Sequence, residues 1–391
     1  MTEMENEKLE QNKIKIISSY ISIGIFLFVV MGLFLLTIIK PDKEFSENEN
    51  RVLAQRTDFS FKSLLDGSFT KDYETYITDQ FVARDNFIAM KVYSERMLLK
   101  KTVNGVYFAP EHYLIEEHKQ EDIDHSLETK NLERVAEFMK ANKGTLNVKF
   151  MLVPTVSNVY PEWLPGYNLE YDQNALFQQA ENVVGADSFI DTSKILNENK
   201  KDYLFYRTDH HWTSLGAYYG YQAWAEQNNI EYYPLEAFDR QVVSKDFLGT
   251  TYSKVNVNEK ADEIELYTLK NGPQLKLSLK PDNSEQKDGI YEMERLQEKD
   301  KYTVFLGGNH PYVEIDSDVH NGKTLLLVSD SYAHCMVPFL ANHYEKIILV
   351  DYRYFNNSTK KLMEEKQVED VLILYNAINF VTDKSIIKLN K

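Results

Sequence analysis

The sequence of 391 residues has a single cysteine, Cys335, and an excess of acidic over basic side chains. One thiol cannot form an internal disulfide, so a disulfide-stapled scaffold is excluded. The formal net charge of −16 argues against a nucleic-acid partner, because phosphate binding needs a basic surface and no basic stripe is present. A neutral or sugar-like partner fits this composition better.

Glycine-rich and repeated motifs are also missing. The only clustered glycines are Gly307 and Gly308, and no phosphate-binding glycine loop, internal repeat or low-complexity tract occurs. A hydrophobic content of 43% is nevertheless ordinary for a globular protein, and the length suits one large domain with additions or two domains. We expect a folded protein that uses no cofactor.

Residues 16–39 carry no charge and predict a membrane-spanning helix between Lys15 and Lys40. The run is longer than the roughly 20 residues that a helix needs to cross a bilayer. A cleaved signal peptide is the alternative, but the run is long for one and no A-x-A-like cleavage site follows. Basic residues flank both ends, so charge does not decide the orientation. We assign residues 1–15 to a cytoplasmic tail and the C-terminal domain to the outside on functional grounds given below.

The remaining chain divides into a helical stalk and a larger domain. Residues 1–12 predict a disordered polar tail, and residues 40–103 a stalk of helices packing on the main domain. Within the stalk, Asp79–Asp85 could be functional, but charges beside a helical apolar stripe usually form its solvated face.

From residue 104 to 391, short apolar runs alternate with amphipathic helices, which predicts an α/β domain whose parallel sheet is covered on both faces. Residues 232–315 alternate polar and apolar side chains and predict a β-rich insertion, with a turn at Pro281–Asn283. The predicted strands of the domain are Val106–Phe108, Val148–Val153, Ser188–Ile190, Thr324–Val328, Lys346–Val350 and Val371–Leu374. The predicted helices are Leu127–Ala141, Gln173–Val184, Ser214–Gln227, Tyr332–Asn342 and Asn357–Glu365.

The densest group of reactive side chains is the segment Tyr206–Thr213, with the sequence YRTDHHWT. Asp209 and His211 are two residues apart, a spacing at which side chains diverge on a helix but can converge on a loop. We therefore expect a loop just ahead of the predicted helix Ser214–Gln227, with Thr213 as its N-cap.

A second informative stretch runs from Thr324 to His334, where an apolar strand enters a small polar turn and then a helix. This pattern places Ser331 at the carboxyl end of a strand and at the positive end of a helix dipole. There its alkoxide would be favoured and its N–H could face a developing oxyanion. The alternative is that Ser331 is only the N-cap of the helix.

Together the two stretches supply a complete catalytic triad. A serine nucleophile needs an imidazole to take its proton and a carboxylate to orient that imidazole, and His211 and Asp209 are such a pair. The chain order Asp, His, Ser is no obstacle, since triads occur in several orders. His210 would point away, to pack or to bond a carbonyl.

Two other uses of the histidines stay open. Zinc could take the same residues, but adjacent histidines rarely converge on one ion and no HExxH-like pair occurs, so the prediction is no metal. A purely structural role for the histidine pair is the other alternative. A zinc site would use Asp209, His210 and His211 as ligands, together with His310, His320 or His334.

The two stretches also resemble a known family. Thr208–Thr213, followed by Gly216 and Tyr219, together with Ser329–Tyr332, resembles the DHHW proteins, which are similar to the alginate O-acetylation proteins of the SGNH hydrolase superfamily. The resemblance implies an SGNH-like three-layer α/β sandwich with a central parallel sheet, and the roles of nucleophile, base and orienter for Ser331, His211 and Asp209. It covers about residues 40–391, including Asn48–Arg51, Asp79–Asp85, Val153–Thr155 and Tyr160–Glu162.

The sequence departs from the SGNH pattern at the oxyanion hole. Ser329 stands where the serine block usually has glycine, and no obvious motif supplies the remaining donors. The candidates are Gly308 with Asn309, and Asn376 after the last strand, although such asparagines more often form turns. Two further substrate-contact candidates are Arg207, for an acidic sugar or a partner carboxylate, and Trp212, for which a positional role is favoured.

The function expected from this resemblance is transfer of an acetyl group, through a serine acyl-enzyme, to a hydroxyl of an extracellular or cell-wall polysaccharide. The resemblance also implies a membrane-bound O-acyltransferase partner that supplies acetyl across the bilayer. A polysaccharide acetyl esterase and a non-catalytic membrane-tethered scaffold for polysaccharide export are the alternatives. No carbohydrate-binding domain is expected after Tyr375, so sugar-stacking aromatics would come from the catalytic face or the insertion, although such residues are more often core. The stacking candidates are Trp163, Trp212, Tyr252 and Tyr312.

Overall fold

The computed structural model describes residues 3–46, 51–257, 259–280 and 285–390. They form two compact units, one extending to Lys91 and the other beginning at Val92. The motif residues Asn48–Asn50 and the predicted turn at Pro281–Asn283 lie outside the described residues.

The helices and strands are numbered in chain order. The helices are α1 (Glu3–Ile39), α2 (Phe61–Leu65), α3 (Ser68–Gln80), α4 (Arg84–Met97), α5 (His125–Ala141), α6 (Val156–Val159), α7 (Gln173–Val184), α8 (Ser193–Glu198), α9 (Ser214–Gln227), α10 (Thr250–Val255), α11 (Val337–Leu340), α12 (Thr359–Glu365) and α13 (Ala377–Thr382). The strands are β1 (Phe45–Ser46), β2 (Arg51–Val52), β3 (Thr102–Val103), β4 (Val106–Phe108), β5 (Leu114–Glu116), β6 (Asn147–Val153), β7 (Phe189–Asp191), β8 (Phe238–Phe247), β9 (Asp262–Leu269), β10 (Leu275–Ser278), β11 (Gln286–Asp288), β12 (Tyr312–Ser317), β13 (Thr324–Ser329), β14 (Lys346–Val350) and β15 (Asp370–Asn376).

The first unit contains the predicted membrane helix. Among the described residues, Glu10–Ile39 is the one helix long and apolar enough to cross a membrane, by length and composition. Helix α1 already begins at Glu3, so the disorder predicted for residues 1–12 is wrong from Glu3 onwards: glutamate and lysine are good helix formers and extend the helix.

Two polar residues at the end of α3 tie down the segment that follows α1. The Gln80 amide accepts the Lys43 N–H and donates to the Lys43 carbonyl, both at 2.9 Å, and Asp79 Oδ2 accepts the Ala54 N–H at 2.9 Å. Both side chains are buried, so this part of Asp79–Asp85 is a structural clamp and the predicted solvated face is wrong there.

An eight-stranded sheet forms the centre of the second unit, in the order β11-β10-β12-β14-β13-β15-β6-β7. The five strands β14, β13, β15, β6 and β7 run parallel, and they match the predicted strands within a residue or two. The three strands β11, β10 and β12 are antiparallel and extend the sheet beyond β14. Most residues of these three antiparallel strands come from the predicted insertion, which therefore contributes strands to the central sheet.

Both faces of the parallel strands are buried. On β13, Leu325 and Leu327 face one apolar cluster, which also contains Trp224 of α9. The alternate residues Leu326 and Val328 face the other cluster, which contains residues of α5, α7 and α13. This three-layer α/β sandwich with a mostly parallel central sheet confirms the predicted fold class.

Two predicted elements differ in the structure. Strand β4 pairs with β3 and β5 in a separate antiparallel sheet, because a short hairpin there satisfies its backbone locally. The predicted helix Tyr332–Asn342 is broken into a 3₁₀ turn, Ser331–Ala333, and the four-residue α11. Pro338 has no N–H to donate to the His334 carbonyl, so a continuous helix cannot form. The dipole at Ser331 is consequently that of a single short turn, weaker than predicted.

Candidate active site

The segment Tyr206–Thr213 forms a tight loop immediately before α9, as predicted. Its two ends are joined by hydrogen bonds from the Tyr206 N–H to the His211 carbonyl, at 3.2 Å, and from the Thr213 N–H to the Leu204 carbonyl, at 2.8 Å. Thr213 Oγ1 accepts the Gly216 N–H at 3.2 Å and caps α9. The narrow loop brings the side chains of Asp209 and His211 to one side.

The second half of the site is the turn after β13. Asp330 is the N-cap of this turn: its Oδ1 accepts the Tyr332 N–H at 2.9 Å. Its Oδ2 accepts the Asn376 N–H at 2.9 Å and the Asn379 side-chain amide at 2.8 Å. Ser331 is the first residue of the turn itself, so its hydroxyl is not used as a cap, and the alternative role considered for it is wrong.

The two halves meet in a continuous hydrogen-bonded chain. His211 Nδ1 lies 2.5 Å from Asp209 Oδ1, and His211 Nε2 lies 2.7 Å from Ser331 Oγ. The His211 N–H also donates to Asp209 Oδ1 at 3.0 Å. All three side chains are buried, with at most 8% of any residue exposed. These distances are those of a nucleophile bonded to a base that is itself oriented by a carboxylate.

The electrostatics of the site favour a neutral base beside a charged carboxylate. Burial by itself would raise the pKa of Asp209, but the two imidazoles and the hydrogen bonds from His211 and Thr250 outweigh burial and lower it. Burial lowers the pKa of His211 to about 4, with His210 acting in the same direction and Asp209 opposing it. At neutral pH, His211 can therefore accept a proton.

Residues of the β-rich insertion hold Asp209 in place. Its Oδ2 accepts the Thr250 N–H at 2.8 Å and the Thr250 hydroxyl at 2.9 Å. His210 Nδ1 lies 2.7 Å from the same hydroxyl, so Thr250 links His210 to the carboxylate. A β-carbon added at Gly249 would lie 2.3 Å from Asp209 Oδ2, which shows that only glycine fits beside this carboxylate.

A second buried acid from the insertion, Asp262, fixes the beginning of the loop. It accepts the N–H groups of Arg207 and Thr208, each at 2.8 Å, and the Thr208 hydroxyl at 2.6 Å. The Tyr203 hydroxyl donates to it as well. Asp262 is completely buried, so the loop conformation depends on a carboxylate 53 positions along the chain from Asp209.

Aromatic rings pack around the meeting point of the two halves. The Tyr302 ring stacks on His211 with centroids 3.9 Å apart, and its hydroxyl donates to the Ser331 carbonyl at 3.0 Å. Trp212 Nε1 donates to the Tyr332 carbonyl at 2.8 Å, and Gly220 of α9 leaves room for its ring. These contacts lock the base loop against the nucleophile turn.

The structure separates the remaining site candidates from the triad. Trp212 is fully buried, which confines it to the positional role. Arg207 donates to the Glu111 carbonyl at 3.2 Å and lies over the Tyr203 ring, and it makes no hydrogen bond to the triad within the described residues. The Asn376 side chain donates to the Val153 carbonyl and caps α13, which is the turn use considered for it.

Gly308 and Asn309 have no hydrogen bond to the triad within the described part of the chain. Gly308 is buried with a φ of +97° and donates its N–H to the Phe305 carbonyl at 3.3 Å. Asn309 is exposed. The predicted oxyanion role of Gly308 and Asn309 stays a prediction. The Ser331 N–H belongs to the nucleophile residue itself and has no acceptor among the described residues, so it is the better candidate for an oxyanion donor.

The hydrogen bonds of the site also bear on the alternative that these residues bind a metal ion. One ligand atom each from Asp209, His210 and His211 lies within 4.8 Å of the others. However, both ring nitrogens of His211 are already paired, with Asp209 and Ser331, and His210 Nδ1 is paired with Thr250. The chemistry of this donor set suits a proton relay better than a cation.

The sugar-stacking candidates are mostly inaccessible. Tyr312 and Trp212 are buried. Trp163 is half-buried and stacks on Tyr160 with centroids 4.0 Å apart, and Tyr252 lies under Lys299. Four residues of the insertion that shape the site were not predicted from the sequence: Gly249, Thr250, Asp262 and Tyr302. No local motif marks these four residues. The one sequence signal in that region is the alternation of polar and apolar residues that predicts strands.

The comparisons with known proteins agree with the fold. The family model described as DHHW protein matches residues 126–350, more than half of the chain. No curated relative matches the chain. A solved DHHW family protein from Eubacterium siraeum DSM 15702 has 24% sequence identity and a TM-score of 0.63, covering 74% of this chain and 96% of that one.

Three further solved structures, of two proteins, are similar. Bacillus cereus PatB1 has 18% identity and a TM-score of 0.60, covering 73% of this chain and 99% of that one. The same protein with a sulfonyl adduct has 19% identity and a TM-score of 0.59, covering 73% and 98%. The O-acetyltransferase domain of Pseudomonas putida AlgJ is more distant, at 16% identity and a TM-score of 0.43 over 71% and 93%. At these identities the likeness to the first two proteins establishes a shared fold.

Proposed function

Because this chain belongs to the DHHW protein family, we propose that it is an O-acetyltransferase of an extracellular or cell-wall polysaccharide, with Ser331 as the acyl carrier. The observation that carries the proposal is the unbroken hydrogen-bonded chain from Asp209 through His211 to Ser331, with steps of 2.5 and 2.7 Å. The motif resemblance to alginate O-acetylation proteins supports acetyl as the transferred group.

The first half-reaction loads the serine. Ser331 Oγ attacks the carbonyl carbon of the acetyl donor while His211 Nε2 takes its proton. The Ser331 N–H would donate to the oxyanion of the tetrahedral intermediate. When that intermediate collapses, the protonated His211 returns the proton to the leaving group and the acetyl-serine ester remains.

The second half-reaction transfers the acetyl group. His211 takes the proton of a sugar hydroxyl, whose oxygen attacks the ester carbonyl. Collapse of this intermediate releases the acetylated sugar, and Ser331 regains its proton from His211. Asp209 keeps the imidazole in the correct tautomer throughout and stabilises its charged form.

The membrane arrangement follows from the acceptor. Helix α1 would hold the protein as a single-pass anchor with the C-terminal domain outside, where the polymer is found. Acetyl would then have to be delivered across the bilayer, and a membrane-bound O-acyltransferase partner is the expected source. An accessibility assay with a C-terminal tag should find the tag outside; a cytoplasmic tag would overturn this arrangement.

The proposal is tested with the full-length protein in detergent, a reporter acetyl ester and a polysaccharide acceptor. We expect acetyl on the acceptor, and loss of at least about 10³-fold in turnover for Ser331→Ala. The matched control is Ser329→Ala, since the buried Ser329 hydroxyl has no hydrogen-bond partner among the residues that the structure describes and should be dispensable.

The outcomes separate the alternatives. Ester hydrolysis that depends on Ser331 but never acetylates the acceptor would identify an esterase, because the same triad serves either acceptor and exclusion of water decides between them. Unchanged polymer acetylation in cells carrying Ser331→Ala would instead identify a scaffold.

A further inference from the structure

The loop after β14, residues 351–358, leaves the sheet beside the nucleophile turn. Strands β13 and β14 are parallel neighbours, and Val328 lies opposite Val350. Ser331 and Arg353 are each three positions beyond these paired residues. Their loops therefore emerge side by side at the carboxyl edge, where α/β proteins bind their ligands.

This β14 loop is firmly held and presents two side chains outward. Tyr352 and Phe355 are buried, and Lys388 Nζ donates to both of their carbonyls, at 2.5 and 3.2 Å. Between these anchors, 50% of Tyr354 and 36% of the Arg353 side chain are exposed. A fixed loop that displays an aromatic ring next to a cation is a built surface rather than a mobile end.

The Arg353 guanidinium is oriented by the buried carboxylate of Asp351. Arg353 Nε lies 3.0 and 3.1 Å from the two Asp351 oxygens, and Nη2 lies 2.6 Å from Oδ2. Within the described part of the chain, Nη1 donates to no acceptor. Bidentate pairing thus fixes the plane of the guanidinium and leaves one edge for a ligand. The guanidinium carbon lies 5.6 Å from the centre of the Tyr354 ring.

The charge of Arg353 also reaches the triad. Burial is the main cause of the lowered pKa of His211, and Arg353 acts in the same direction. Arg207, the sequence candidate for contact with an acidic sugar or a partner carboxylate, donates to the Glu111 carbonyl and lies over the Tyr203 ring. Arg353 is the cation whose loop follows the strand paired with that of Ser331, which places it at this edge of the sheet.

We propose that Arg353 and Tyr354 form the acceptor subsite of the enzyme, in which Tyr354 stacks on a sugar ring and the open edge of Arg353 binds the carboxylate of an acidic polysaccharide. The inference rests on the proposed acetyl transfer from Ser331. It adds the chemical class of the acceptor and the residues that select it.

The test compares two acceptors of equal length, a glucuronic-acid oligosaccharide and a glucose oligosaccharide, with the full-length protein and a reporter acetyl ester. The wild type should prefer the acidic acceptor. Arg353→Gln should raise the KM for the acidic acceptor about tenfold, the loss typical of one charge-assisted contact, and the KM for the neutral acceptor less than about twofold. Tyr354→Ala should raise both KM values several-fold.

Two further variants control for folding and for general charge effects. Arg353→Gln leaves Asp351 buried without its partner, so its thermal unfolding is measured in parallel; if it unfolds, Arg353→Lys replaces it, with an expected rise of about threefold for the acidic acceptor alone. Arg134→Gln removes a surface arginine of α5 that pairs with Glu137, and should change neither KM.

Equal KM changes for the two acceptors in the Arg353 variants, or a wild type without acidic preference, would overturn the subsite. Ser331-dependent transfer in that case leaves the proposed function standing. Turnover that survives Ser331→Ala would instead remove the proposed function, and the subsite with it.

Discussion

The two halves of the candidate site are built in different ways. Ser331 stands on a turn that continues a central strand. Its neighbour Asp330 is held by the Asn376 N–H at the end of the adjacent β15 and by the Asn379 side chain of α13. Asp209 and His211 stand on a loop whose shape depends on distant residues, chiefly Thr250 and Asp262 of the insertion.

This difference predicts unequal tolerance to substitution. The nucleophile turn takes its position from the sheet, whose hydrogen bonds are shared among many strands. The base loop takes its position from a few specific side chains, so the loss of one should move the catalytic groups. Substituting a residue that supports the base loop should therefore reduce turnover more than substituting a residue that supports the nucleophile turn.

Gly249→Ala should have the largest effect on this comparison. The added methyl group would lie 2.3 Å from the Asp209 carboxylate, so the loop must shift. We expect turnover of the reporter ester to fall at least about 100-fold and the free energy of unfolding to fall by about 1–3 kcal/mol. Gly166→Ala, where an added methyl group meets nothing within 4 Å, is the control for denaturant unfolding and turnover. Wild-type turnover in Gly249→Ala would show that the base loop is not tightly held.

Asp262→Asn should come next. The substitution keeps the shape but replaces one of the two accepting oxygens by an NH2 group, which leaves either the Arg207 N–H or the Thr208 N–H facing a donor. A loss of about 2–3 kcal/mol in unfolding free energy and about tenfold or more in turnover is expected. Turnover that stays at the wild-type level while stability falls would separate the insertion from catalysis.

Thr250→Val should have a smaller effect, about tenfold in turnover. The methyl group replaces the hydroxyl that joins Asp209 to His210, while the backbone hydrogen bond to Asp209 remains. Thr250→Ser keeps the hydroxyl and serves as the matched variant, with near-normal turnover. On the nucleophile side, Asn379→Ala removes one of three donors to Asp330 and should cost only about threefold. If Asn379→Ala proves more damaging than Thr250→Val, the contrast between the halves is reversed.

The smallest effect should be that of mild acid. Burial lowers the pKa of His211 to about 4, so the base stays unprotonated and turnover should change less than about twofold between about pH 7.5 and about pH 5.5. An imidazole with the ordinary pKa of 6.5 would lose about tenfold over the same range. Because the unfolded chain binds that proton first, His211 contributes stability that is full above about pH 6.5 and is lost as the pH falls towards 4. A turnover profile with a midpoint near 6.5 would contradict the buried, neutral base.

The difference between the nucleophile turn and the base loop also explains which features of the site the sequence could predict. The parallel strands, α9 and the turn at Ser331 follow local patterns of apolar and polar residues, and these predictions are confirmed. Pro338 is a local signal for the break in the following helix, which the helix prediction does not take into account. Local pattern could not show that three strands near the insertion complete the sheet.

The support of the base loop was equally hidden. Thr250 and Asp262 are an ordinary threonine and an ordinary aspartate in the sequence, and their roles arise only when folding brings them to residues about 40 and 50 positions away. The pairing of Asp209, His211 and Ser331 could be predicted because each has a chemistry that needs the others.

The most direct test of the account is to identify the residue that a sulfonyl fluoride modifies, by peptide mass spectrometry of the full-length protein. A sulfonyl fluoride reacts with an activated serine oxygen, which forms a sulfonate ester as fluoride leaves, so the reagent reports on the nucleophile and its base. The account predicts a single adduct on Ser331 that forms at least about 100-fold more slowly in His211→Ala. An adduct on another residue, or equal rates of adduct formation in the wild type and in His211→Ala, would contradict the assignment of Ser331 and His211 as nucleophile and base.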